Sequence, residues 1–182
     1  MMKETFQNLI AYLKNPVLEK DSNESLNDKF KIFFHLLIIS LITSVIVTPF
    51  YFVIEELNLV KMDTHKVEEM FKGMGILEIL LIAAIITPII EELIFRAPMT
   101  LFKKPKSFKY AFYVSSSLFG FIHIFNFELT TNVLLLTPLL VLPQLLVGSY
   151  FGYIRVRFGL LWSMLLHGCY NGILITMSFY FK

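Results

Sequence analysis

Charged side chains are bunched along the chain, and the intervals between them are long and apolar. Ile32 to Ile54, Tyr110 to Phe127, Leu129 to Ile154 and Phe158 to Phe181 contain no Asp, Glu, Lys or Arg, and Gly73 to Ile90 is interrupted only by Glu78. An apolar run beyond ~18 residues can cross the hydrocarbon core of a bilayer as a helix. The pattern predicts an all-α, polytopic transmembrane helical bundle of about five spans over residues 32–182. Pro138 and Pro143 fall inside the fourth window, which makes it either one kinked span or a span joined to an interfacial piece. Residues 1–31 read as a cytoplasmic or interfacial segment, in which Phe6, Leu9, Ile10 and Leu13 recur at helical spacing before Pro16. That spacing suits an amphipathic helix on the membrane surface or a helix in the cytosol.

Composition points the same way. Of 182 residues, 56% are hydrophobic and 16% charged, outside the balance of a soluble globule. The first 31 residues hold five basic and five acidic side chains, unlike a cleaved signal peptide, so the first span is expected to remain as an anchor. Charge also orients the bundle. Arg96 to Lys109 carries five basic residues and no acid, Arg155 and Arg157 mark a second basic turn, and Glu55 to Lys72 has five acids against three lysines. The positive-inside rule puts the two basic connections in the cytoplasm together with the N-terminus, where Lys29 and Lys31 precede the first span, and leaves Lys182 outside. The net charge of +2 adds no partner, and no nucleic-acid signature is present. The lone Cys169 cannot form an intramolecular disulfide. Usage rich in Lys, Ile and Phe suits a bacterial cytoplasmic membrane.

Polar residues inside the apolar windows need an explanation, because a charge at the bilayer centre costs roughly 2.5 to 3.5 kcal/mol and usually faces protein or a wet cavity. Glu92 and Arg96 are four apart in the favourable order for a helical ion pair, while Glu91 is turned ~100° away and is free to face a cavity and exchange protons. Pro88, one turn earlier, would kink the helix and free a carbonyl near Thr87 or Ala84. Phe119 and His123 share a helix face, so the ring can shape the imidazole's pocket. His167 and Asn171 share another, about 14 and 20 Å into the fifth span from its cytoplasmic end; His123 lies deeper on the third, about 21 Å beyond Lys109. Each motif alone could be structural, the acids as the interfacial end of a span and the others as interhelical hydrogen bonds. Together, Glu91, His123 and His167 offer a carboxylate and two imidazoles from three spans, a set that could hold a catalytic metal or activate water, with Asn171 as a donor to an oxyanion. Hydrolysis is the leading expectation. His35 and Glu78 have no partner motif and read as packing or cavity-lining residues, and His65 falls in the acidic outer loop. Ser115, Ser116 and Ser117 lack a GxSxG turn, and there is no HExxH.

Three motifs in order, EExxxR at Glu91 to Arg96, FxxxH at Phe119 to His123 and HxxxN at His167 to Asn171, resemble the CAAX protease and bacteriocin-processing family of intramembrane proteases. The resemblance covers about residues 79–171. It implies a helical bundle whose site opens to the cytosol from within the membrane. Glu91 and His123 would activate the attacking water, His167 and Asn171 would stabilise the oxyanion, and Glu92, Arg96 and Phe119 would shape the site. A zinc ion on Glu91, His123 and His167 is the cofactor this implies. Many relatives are longer, with more spans. A prenylated carboxyl terminus is a eukaryotic and archaeal substrate, so this chain is expected to cut a peptide precursor, a bacteriocin or a membrane-bound regulator. Two rival readings stand beside it: a membrane immunity or scaffold protein that binds a bacteriocin or sensor partner, and a small transporter with a Glu/His proton relay, for which no inverted repeat speaks.

Overall fold

Among residues 1–19, 25–61 and 71–180, which a computed structural model describes, the regular structure is helical throughout. His65 lies outside the described residues. The helices are α1 (Met2–Lys14), α2 (Leu26–Glu56), α3 (Ile76–Leu80), α4 (Thr87–Met99), α5 (Pro105–Ile122), α6 (Thr131–Leu140), α7 (Leu142–Phe158) and α8 (Leu160–Tyr180). A π turn, Leu81–Ile86, joins α3 to α4, and a 3-10 turn, His123–Asn126, follows α5.

Among the described residues three stretches are long and apolar enough to cross a membrane, Leu26–Glu56, Thr131–Phe158 and Leu160–Tyr180, and they make this a multi-pass membrane protein. The count is three where five spans were expected. The second window is divided by the π turn, and the helix over the third begins with Pro105 and carries Lys106 and Lys109 in its first two turns. The fourth window bends at Val141, between Pro138 inside α6 and Pro143 in the first turn of α7. Side chains such as Val45, Ile46, Leu118 and Leu161 are more than half exposed, which suits lipid contact and not water.

Helix α7 is the axis. Val147, Phe151, Tyr153 and Ile154 are buried on it, within a core shared with Phe33 and Leu36 of α2, Phe119 of α5 and Leu166 of α8. Helix α1 also joins this core through fully buried Leu9, while Phe6 on the same helix is exposed. Thr5 meets His35 at 2.9 Å, Tyr113 donates to the Leu13 carbonyl at 2.9 Å, and Tyr12 packs edge-on against Phe112 and Tyr153. Burial, reinforced by Tyr153, pushes the Tyr12 phenol above its ordinary value, so it stays protonated and donates to the Val17 carbonyl at 3.0 Å.

These contacts define two ends. Lys109 donates to Asn15 at 3.0 Å and Lys29 sits over the Phe158 ring, which gathers α1, the starts of α2 and α5 and the end of α7 at one end. At the other, Tyr51 donates to the Leu140 carbonyl and Asn132 to that of Leu59, both at 2.9 Å.

Pro88 has no N–H to offer the carbonyl one turn before it, and the chain answers with the π turn instead of a break. Helix α8 presses on this turn. A Cβ on Gly168 would lie 2.5 Å from the Ala84 carbonyl oxygen, whereas one on Gly172 would meet only the Ala84 methyl at 3.5 Å. Gly168→Ala is therefore expected to lower stability by about 1 to 3 kcal/mol, the usual cost of overpacking, and Gly172→Ala by much less. Thermal unfolding of the detergent-solubilised variants measures the difference.

Candidate active site

Under the centre of the bundle lies a charge pair with no access to solvent. Glu92 and Arg96 are both 0% exposed, with Arg96 Nε 3.8 Å from Glu92 Oε2, one helical turn apart on α4. The hydrogen bonds they add reach other elements. Arg96 Nη2 donates to the Gly148 carbonyl of α7 at 2.8 Å, and its guanidinium lies 4.0 Å from the centre of the Phe119 ring on α5. Gly148 permits that approach, because a Cβ there would fall 2.5 Å from the Phe119 ring and 3.1 Å from Arg96. Glu92 accepts a hydrogen bond from Ser163 of α8 and meets His167 Nδ1 at 3.2 Å through its other oxygen.

His167 joins this buried pair to a cavity. Its ring stacks on Phe151, with centroids 4.5 Å apart and planes 23° from parallel, and Phe119 meets it edge-on. Its second nitrogen, Nε2, is 3.6 Å from Glu91 Oε2, and the Glu91 side chain is 21% exposed. Glu92, facing Arg96, accepts a proton donor, so neutral His167 carries its hydrogen on Nδ1 and turns the Nε2 lone pair toward Glu91.

The cavity, about 630 Å³, is lined by Glu91, Phe119, His123, His167 and Asn171. Four of the expected catalytic residues thus border one space, and Glu92 and Arg96 lie beneath it. His123 closes α5, half-buried, with Nδ1 2.7 Å from the Phe119 carbonyl; a carbonyl only accepts, so neutral His123 keeps its lone pair on Nε2. Asn171 donates to the Ala83 carbonyl in the π turn at 2.9 Å, which commits one of its two amide hydrogens and uses an acceptor that the irregular turn exposes. The other candidates lie elsewhere. His35 fastens α1 to α2 through Thr5, Glu78 is exposed and accepts from the Gly75 N–H at 2.8 Å as a helix cap, and Ser115 donates to the Phe95 carbonyl.

Among the described residues no three His, Cys, Asp or Glu side chains come together as a metal site. Nδ1 of both imidazoles in the expected zinc set, His123 and His167, meets an acceptor, the Phe119 carbonyl or Glu92, a contact that histidines bound to metal through Nε2 also make.

Sequence reasoning missed two polar residues. Ser163 stands one turn before His167 on the same face, in register with Asn171, and that spacing was the available signal. Gln144 lines the cavity one turn before Gly148, and its buried Oε1 has no hydrogen-bond partner among the described residues. Its signal was a carboxamide in an apolar window, a position that usually carries a function.

A multi-pass helical protein with carboxylates, imidazoles and carboxamides around an internal cavity is the class that fold and site define. A family model for the type II CAAX prenyl endopeptidase Rce1-like proteins matches residues 73–173, and the chain belongs to this family. Membership implies intramembrane protease activity. No curated protein and no solved structure matches the chain.

The buried pair sets an expectation of its own. Arg96→Met leaves Glu92 charged without its cation, which costs about 3 to 5 kcal/mol, whereas Arg96→Met combined with Glu92→Leu recovers much of that loss. Unfolding midpoints of the single and double variants test the coupling.

Proposed function

We propose that the protein is an endopeptidase of a bacterial cytoplasmic membrane, with five spans and a cytoplasmic N-terminus, that hydrolyses a peptide bond of a membrane-associated peptide or protein. A peptide precursor, a bacteriocin or a membrane-bound regulator is the substrate class that suits the chain better than a prenylated carboxyl terminus. What carries the reading is the single cavity shared by Glu91, His123, His167 and Asn171 directly above the buried Glu92–Arg96 pair.

Glu91 and His167 share one proton. In the active form it sits on His167 Nε2, stabilised by ionised Glu92 at Nδ1, and Glu91 is the base. A water held between Glu91 and His123 loses a proton to Glu91 as its oxygen attacks the peptide carbonyl carbon. The developing oxyanion accepts from His167 Nε2–H and from the uncommitted amide hydrogen of Asn171. Collapse breaks the C–N bond, and Glu91 passes its proton to the leaving nitrogen, so water and peptide become acid and amine. Gln144, with an unsatisfied carboxamide atom in an apolar wall, aligns the substrate by pairing with a backbone amide.

Purified protein acting on a tethered peptide provides the test. Glu91→Ala and His123→Ala are each expected to lose 10²- to 10⁴-fold in kcat, roughly the worth of a positioned acid or base, while the distant cap variant Glu78→Ala keeps activity. Equal turnover in all of these preparations overturns the reading. Gln144→Leu is expected to raise KM about tenfold with little change in kcat, the mark of a contact made equally in ground and transition states. Loss of activity on chelation that zinc restores would assign Glu91, His123 and His167 as its ligands, whereas activity that survives chelation leaves the water to Glu91 and His123 alone.

A further inference from the structure

Threonine hydroxyls inside the helices of this protein are spent on their own backbone. Thr5, Thr43, Thr48, Thr137 and Thr176 each donate to the carbonyl four residues before them, at 2.7 to 3.2 Å. Such back-bonding satisfies a hydroxyl where water is scarce. Thr87, at the start of α4, departs from them. Its hydroxyl makes no hydrogen bond among the described residues, and the side chain lines the cavity that holds Glu91, His167 and Asn171.

The π turn accounts for the departure. The Thr87 N–H bonds the Ile82 carbonyl, five residues back, and Pro88 has no N–H, so neither of the nearest backbone donors serves the Ala83 carbonyl. Asn171 takes that acceptor at 2.9 Å. The carbonyl that Thr87 would ordinarily use is thus engaged by the helix that carries His167, and the hydroxyl stays in the cavity wall. Thr87 stands one turn before Glu91 on the same face of α4. These two are the polar side chains that α4 brings to the cavity, since Glu92 and Arg96 lie beneath it.

We propose that the Thr87 hydroxyl accepts a hydrogen bond from the N–H of the scissile amide and turns that nitrogen toward Glu91. This role rests on the peptidase reading above, to which it adds a contact with the leaving group. The oxyanion has its donors on α8, whereas the nitrogen has to meet protonated Glu91 on α4. A planar amide nitrogen has no lone pair to offer. As the water oxygen bonds to carbon the nitrogen becomes pyramidal, and the direction of its new lone pair decides whether the proton on Glu91 can reach it. Residues four apart on a helix hold their Cβ atoms ~6 Å apart, and a nitrogen set between two hydrogen bonds of ~2.9 Å spans a similar gap. With its N–H held at Thr87, the nitrogen turns its lone pair to Glu91, takes the proton and departs as the C–N bond breaks. The arrangement is complete only once the nitrogen is pyramidal, so the contact acts on kcat more than on KM.

A tethered peptide and its depsipeptide twin, with an ester oxygen in place of the scissile nitrogen, test the contact. The ester has no N–H for Thr87 to hold. Thr87→Val keeps the shape and removes the hydroxyl, and it is expected to lower the ratio of amide to ester kcat by about 3- to 10-fold, the worth of one neutral hydrogen bond. Thr87→Ala is expected to show the same fall and Thr87→Ser to restore the ratio. The unfolding midpoint of Thr87→Val is expected not to fall, since the hydroxyl bonds nothing in the fold. A ratio that does not move in Thr87→Val and Thr87→Ala, whether amide and ester turnover drop together or neither drops, overturns the role of Thr87 and leaves the peptidase reading standing. Wild-type protein that cleaves neither substrate, or a Glu91→Ala variant that matches it, overturns the peptidase reading and the role of Thr87 with it.

Discussion

A carboxylate and a guanidinium sealed from solvent one turn apart on α4 are the constraint on which the site depends. Taking both charges out of water is costly, and their mutual attraction alone does not make the pair a net stabiliser. What the pair provides is placement. Arg96 ties the Gly148 carbonyl and the Phe119 face to α4, and Glu92 ties Ser163 and His167 to it, so α5, α7 and α8 are all referred to one rigid point. His167 then has little freedom, because Phe151 fixes its plane and Glu92 fixes its tautomer. The Nε2 edge of the imidazole reaches Glu91 as a consequence of what lies beneath it.

Much of this could be read along the chain, and the limits have physical causes. The i,i+4 spacing of Glu92 and Arg96 announced their pair, since helical geometry leaves few alternatives. The helical character of each apolar window was equally plain. Which side of each helix faces the protein was not, because lipid and core are both apolar and the pattern that marks an inner face in water is weak here. That is why Gly148 and Phe151, central to the site, carried no signal of their role, and why the packing of α1 against α2 and α7 could not be read from its spacing. Arg96 shows the same limit from the other side: counted as a loop charge in the sequence, it is among the most buried side chains of the fold.

The π turn connects local chemistry to the site in a way spacing could only suggest. Pro88 was expected to kink the helix and free a carbonyl. In the fold the irregular backbone is covered by α8, with Asn171 bonded to the Ala83 carbonyl and Gly168 against that of Ala84. A polar defect in the middle of an apolar helix thereby becomes the docking point for the helix that brings the imidazole, in keeping with the need to satisfy backbone groups inside a bilayer.

Ser163 lies 71 residues after Glu92, and His167 and Asn171 follow on the same last helix. At a ribosomal pace of ~5 to 20 residues per second, about 4 to 14 s separate the emergence of the acids from that of their partners. Of Glu92's partners Arg96, Ser163 and His167, Arg96 alone emerges with it. The cavity thus lacks one polar wall until the final helix arrives, and a ribosome that stalls before it leaves Glu91 and Glu92 without Ser163, His167 and Asn171.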